Sequence, residues 1–77
     1  MADLTYGQKL VGLDFNPSGD PDVHSVKKRC AAIIDLLDAT RAAAGPGEKA
    51  RTCAIAITEI QTAQMWAVKA LTLQEQE

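Results

Sequence analysis

The side chains that could do chemistry in this 77-residue chain concentrate at one place, where three consecutive cations, Lys27-Lys28-Arg29, follow a turn. Asn16-Pro17-Ser18-Gly19 carries Asn, Pro and Gly at the first, second and fourth positions, as a type I turn prefers. Asp20 fits a helix N-cap, its carboxylate accepting from free backbone N–H groups of the first turn. Pro21 fits the first helical position, where a missing N–H costs nothing and φ is already near helical. A turn, a helix N-terminus and lysines one to two turns in are the parts of an anion site. They are equally the parts of an ordinary helix start, and on these residues alone the ordinary reading comes first. The placement of the cations weighs against it. They sit near the positive end of the helix macrodipole, which is mildly unfavourable, by roughly a few tenths of a kcal/mol each. Departures from a local rule are where function is sometimes found.

Other chemistry finds little support. Asp35 and Asp38 are three apart on one predicted helix but have no second acid opposite, which is the pattern of a solvated face. His24 reads as a surface histidine beside the cations, and the glycines are isolated rather than grouped in a phosphate-binding loop. Two cysteines and one histidine, widely separated, make no metal site, and no cofactor is expected. A net charge of −2 disfavours duplex nucleic acid as the main partner, which wants a broadly basic face, yet leaves room for one local basic cluster. No apolar run is long enough to span a membrane, and an acid, Asp3, stands close after Met1 where a secretory signal would be basic and apolar. A soluble, cytoplasmic, non-enzymatic protein is the expectation.

The elements that must position the cations are helical. Residues 1–20 form an arm and turn. Leu4, Tyr6 and Gln8 alternate like a strand, Leu10, Val11 and Leu13 suit neither period, and one short helical turn fits among them. The segment is too apolar for a solvated tail. The helical hairpin takes residues 21–77, with helix one over about 21–44, a connector at 45–47 and helix two over about 48–73. Val23, Val26, Cys30, Ile33 and Leu37 recur at spacings of three and four as the stripe of helix one, widened by Ile34 and Leu36. Gly45-Pro46-Gly47 stops it, with Arg41 in the last turn. The second helix is apolar most of the way round, including every residue from Cys53 to Ile57, and one partner helix cannot cover it. Each helix is about 36 Å long, and the short connector makes the two antiparallel. Facing residue numbers then sum to about 92. That fold-back sets Cys30 and Cys53 apart, as small buried hydrophobes rather than a disulfide, and brings Lys69 near Val23 and Val26. Small size and few aromatics, 4% of the chain, point to self-association. Four cations, a helix N-terminus, Asn16, Ser18 and the rings of Phe15 and Tyr6 suit a small nucleotide, which offers phosphates and flat rings. A plain oligomeric or adaptor hairpin with a protein partner is the alternative, and on these residues alone it comes ahead of the nucleotide reading.

The segments FNPSGDPDVHSVKKRCAAIIDLL and AIAITEIQTAQMWAVKALT resemble a family of small bacteriophage proteins with a helical-hairpin domain. Members are sponges that sequester cyclic nucleotide signals of bacterial immunity, against CBASS and, for related members, Thoeris. The resemblance implies an all-α antiparallel hairpin assembled as a homohexamer, acting in immune evasion in the host cell cytoplasm without catalysis. It implies cyclic dinucleotides of the cyclic GMP-AMP type as ligands, with cyclic trinucleotides at a separate site in some members. In the family an aromatic near the N-terminus stacks on a base, a role for Tyr6 or Phe15 here. A lysine early in the first long helix contacts phosphate, which assigns Lys27 or Lys28. A cation near a symmetry axis gathers trinucleotide phosphates, a role for Lys69 with Arg51 in reserve. Asn16, Pro17 and Ser18 complete the ligand-binding set. Lysine at 69, where an arginine is expected, offers a point charge rather than a bidentate fork.

Overall fold

The computed structural model describes residues 3–74, so the first two residues of the arm and the last three of the hairpin domain lie outside it. Three helices make up the fold: α1 (Tyr6–Val11), α2 (Pro21–Ala44) and α3 (Glu48–Thr72). Among the described residues there is no strand. The arm holds a short helix, as one helical turn fitted among its residues, and the strand-like alternation of Leu4, Tyr6 and Gln8 gives way to a cap that it hides. Thr5 Oγ1 accepts from the Gln8 backbone N–H at 3.1 Å while Gln8 Oε1 accepts from the Thr5 N–H at 2.9 Å. This reciprocal capping box satisfies two otherwise unpaired donors and nucleates the six-residue helix. Gly12 ends it in the left-handed region, at φ 65°, with its N–H returned to Gln8 and Lys9.

The turn that follows closes through the Gly19 N–H and the Asn16 carbonyl at 3.0 Å. Asp20 then caps α2, its carboxylate accepting from the Asp22 N–H at 2.8 Å, and Pro21 occupies the first helical position. Gly45 caps the C-terminal end of α2, and α3 starts directly after Gly47.

The chain folds as two successive reversals. Ile34 meets Ile57 in the core, and Val23 lines one groove with Val68 and Thr72, so α3 runs antiparallel to α2. The arm also runs antiparallel to α2: Tyr6 lies at Arg41, Gly7 at Asp35 and Ala31, and Gly12 at Lys27. α2 is thus packed against both α1 and α3, which barely touch each other. The molecule measures 51 × 34 × 12 Å, and its short dimension is about one helix diameter. Its core is correspondingly thin: Val11, Ala31, Ile34 and Ile57, with Leu10, Leu13, Cys30, Leu37 and Ile60 packed around them.

The buried face of α2 differs from the stripe expected through Val26, Cys30 and Ile33. It runs through Val23, Lys27, Ala31 and Ile34, while Ile33 is 48% exposed and Leu36 66%. The arm is the reason. By covering α2 from the side opposite α3 it rotates the buried stripe by about one residue. The arm also gives the two helix acids work that a solvated face would not. Asp35 accepts from the Gly7 N–H at 2.7 Å, and Asp38 holds Arg41 at 2.6 Å, whose guanidinium lies 5.7 Å from the centre of the Tyr6 ring. The hydrogen bond that Arg41 donates to Asp38, and secondarily the Tyr6 side chain, raise the Arg41 guanidinium above its ordinary value. Gly7 makes the docking possible. A Cβ there would stand 2.2 Å from the Ala31 carbonyl oxygen.

Candidate functional site

The turn and the two helix ends beside it form a groove of about 310 Å³, lined by Phe15, Asn16, Pro17, Ser18, Val23, Val68 and Thr72. The reversal between α2 and α3 builds it, setting the last turn of α3 against the first turn of α2. Its polar side chains are largely committed to one another. Asn16 Nδ2 donates to the Asp20 carbonyl at 2.9 Å and its Oδ1 accepts from Ser18 Oγ at 3.2 Å. Thr72 Oγ1 donates to the Val68 carbonyl at 2.8 Å. What the groove offers a ligand is therefore apolar floor and the ring of Phe15, which is 73% exposed. Such a surface stacks on flat heterocycles and gains from dispersion and desolvation rather than from hydrogen bonds.

The cations divide. Lys27 points inward and is 5% exposed. Its ammonium donates to the Gly12 carbonyl at 3.0 Å and to the Phe15 carbonyl, and lies 5.5 Å from the centre of the Phe15 ring. Lys28 and Arg29 are exposed, and with His24, Ser25 and Ala32 they line a second hollow of about 440 Å³ along α2. Arg29 Nε is tied to Ser25 Oγ at 3.1 Å, leaving the Lys28 ammonium with no hydrogen-bond partner among the described residues. The Phe15 groove opens on one side of the first turns of α2, and His24 and Lys28 lie on another.

Lys69 shares the end of the hairpin but not the Phe15 groove. It lines a third hollow of about 290 Å³ with Met65 and Trp66, its ammonium 5.2 Å from the centre of the Trp66 ring. Tyr6 stands at the far end of the arm against Arg41, remote from the turn. Arg51 is at the opposite end of the hairpin, bonded to Glu48 at 2.6 Å. That bond holds the Glu48 carboxyl below its ordinary range and the Arg51 guanidinium above its own. The expected ligand residues thus fall into a grooved group (Phe15 to Ser18), an inward lysine, an outward lysine and three separate aromatic–cation or ion pairs. Val68 and Thr72 were missed in the sequence. The hairpin register that brought residue 69 to Val23 carried the signal, since the residues one before and three after Lys69 share the face turned toward α2.

Cys30 and Cys53 are both free, and burial pushes the Cys30 thiol above its ordinary value. Among the described residues no three His, Cys, Asp or Glu side chains come together to hold a metal ion, and no helix is long and apolar enough to cross a membrane.

The chain is an all-helical hairpin with three open hollows on its surface. The family model for the Acb2/Tad1 hairpin domain matches residues 8–72, and the chain belongs to that family, the anti-CBASS and anti-Thoeris sponges expected from its two helical segments. The family is known for sequestering cyclic nucleotides. No curated protein and no solved structure matches the chain.

Proposed function

We propose that this protein is a non-catalytic sponge. It binds cyclic dinucleotides of the cyclic GMP-AMP type tightly, keeps them from host effectors and so blocks CBASS-type signalling in the host cytoplasm. The observation that carries the reading is the Phe15 groove on a chain of this family: an exposed ring over an apolar floor, beside a helix turn that presents Lys28. A base stacks on Phe15 against Val23 and Val68, and the phosphodiesters take charge-assisted hydrogen bonds from Lys28 and Arg29.

A single subunit supplies only part of such a site. Each groove is about 290–440 Å³, at the small end of the range for ligand pockets, and the stacking groove and the lysine open on different sides of α2. Two copies facing each other join one subunit's ring to another's cations. Self-association also covers the large apolar side chains that one subunit leaves exposed, among them Leu36, Ile55, Met65 and Trp66 at 46–66%. We take the assembly as a homohexamer, with Lys69 beside Trp66 as the place where trinucleotide phosphates gather.

Calorimetric titration with a panel of cyclic di- and trinucleotides tests the proposal. Micromolar or tighter binding of at least one dinucleotide is expected, and silence across the panel sinks it. Heating the complex and recovering the ligand separates sponge from hydrolase: intact ligand is expected, and linear product would refute the non-catalytic reading. Light scattering counts the subunits.

A further inference from the structure

Lys27 is buried in the middle of the apolar face of α2, one helical turn from Val23 on one side and Ala31 on the other. A buried ammonium is costly unless its donors are met. Here, among the described residues, no carboxylate lies within ion-pairing distance of it. Its partners are the Gly12 carbonyl at 3.0 Å, the Phe15 carbonyl and the face of the Phe15 ring at 5.5 Å. All three belong to the short segment that leaves α1 and leads to the turn. Gly12 is the C-cap of α1, so the cation also sits at the negative end of that helix. Phe15 is 73% exposed; its backbone N–H donates to the Gly12 carbonyl at 2.9 Å, and Lys27 adds the contacts to its carbonyl and to the face of its ring.

We infer that Lys27 is a positioning residue: it clamps the backbone of Gly12 and Phe15 and the face of the Phe15 ring, presenting that ring ready to stack on a base, and leaves phosphate contact to Lys28. The inference rests on the sponge reading for what the ring stacks on. The clamp itself rests on contacts within the chain. Fixing an exposed aromatic before the ligand arrives removes an ordering cost from binding, worth roughly three- to tenfold in affinity for one side chain. A phosphate oxygen reaching the Lys27 ammonium would first have to lift the Gly12–Phe15 segment off it.

A double-mutant cycle on cyclic dinucleotide affinity separates the roles. Lys27→Met keeps the apolar stem and removes the clamp; Phe15→Ala removes the ring. Lys27→Met alone is expected to weaken binding about three- to tenfold, and to have no further effect on top of Phe15→Ala. Lys28→Ala should weaken binding by the same factor with or without Phe15. Equal losses from Lys27→Met in both backgrounds overturn the inference, because that lysine then meets the ligand itself. Hydrogen exchange along α2 and α3 verifies that each variant is folded. Should Lys27→Met fail that check, the wild-type protein decides the matter by nitrogen-15 NMR of the lysine ammonium groups. The Lys27 ammonium should be protected from solvent exchange before any ligand is added and keep its shift at saturation, while Lys28 moves. A freely exchanging Lys27 signal refutes the clamp. Absence of binding by the wild-type protein refutes the sponge and leaves the clamp to be judged by the protection of that signal.

Discussion

Gly7→Ala puts intrinsic helix propensity and tertiary contact in opposition. Gly7 lies within α1, and glycine in a helix is less favourable than alanine by about 0.5–1 kcal/mol, so local preference says the substitution stabilises. The structure says the reverse. The new Cβ would meet the Ala31 carbonyl oxygen at 2.2 Å, its carbon at 3.0 Å and Asp35 Oδ1 at 2.9 Å. Two of those atoms are backbone in the middle of α2 and cannot turn aside. The arm must move instead, and it gives up the bond from the Gly7 N–H to Asp35, worth about 1.5–3 kcal/mol for a carboxylate acceptor. It also exposes Val11, now 5% exposed, at a further cost of about 1.5–3 kcal/mol. Against about 3–6 kcal/mol lost stand up to about 1 kcal/mol of helix propensity and some regained freedom of the arm. A net loss of about 2–4 kcal/mol is expected. Urea unfolding at one fixed protein concentration measures it, the concentration being held because self-association shifts apparent stability. Hydrogen exchange should show protection lost over α1 first. Gly19→Ala is the comparison: unlike Gly7 it sits in the left-handed region, at φ 67°, but a Cβ there meets nothing within 4 Å, so it costs about 1–2 kcal/mol without freeing the arm. A Gly7→Ala protein as stable as wild type would refute the docked arm.

Other consequences follow from the same contacts. Asp20→Ala removes the cap on α2 and should cost about 1 kcal/mol in the same unfolding assay. Asp35→Ala should cost about 2 kcal/mol and loosen the arm, whereas Asp38→Ala, whose partner Arg41 is half-buried, should cost less than 1 kcal/mol. The Glu48 carboxyl, held down by Arg51, should titrate by NMR below the ordinary glutamate range and return to it in Arg51→Ala. Because its folded value is depressed, the small stabilisation it adds is present above the unfolded glutamate value and lost as pH falls through the folded one. Cys30 should react with a thiol reagent at neutral pH more slowly than free cysteine, because burial keeps it protonated; a rate equal to free cysteine contradicts the burial of that side chain.

Residue types and spacing alone determined the hairpin. The Asn16–Gly19 turn, the Asp20–Pro21 start and the Gly45-Pro46-Gly47 stop are local signals; hydrogen bonds within a few residues close the first two, and Gly45 ends α2 at φ 71°. The short connector then leaves an antiparallel pair as the arrangement that packs. An ordered arm with a short helical turn was legible, but where it docks was beyond reach of that reasoning. Its helix depends on the Thr5–Gln8 box, and its position on Gly7 approaching Ala31 and on Asp35, 28 residues away. No periodicity reports a contact of that kind. Once the arm is docked, α2 turns its Lys27 edge inward, and a run of three adjacent cations that looks uniform in sequence separates into a buried tether and two exposed charges. The opposed Lys27 and Lys28 directions follow from the 100° between neighbouring residues on a helix; which of the two faces inward is decided by what covers α2, and that is a tertiary fact.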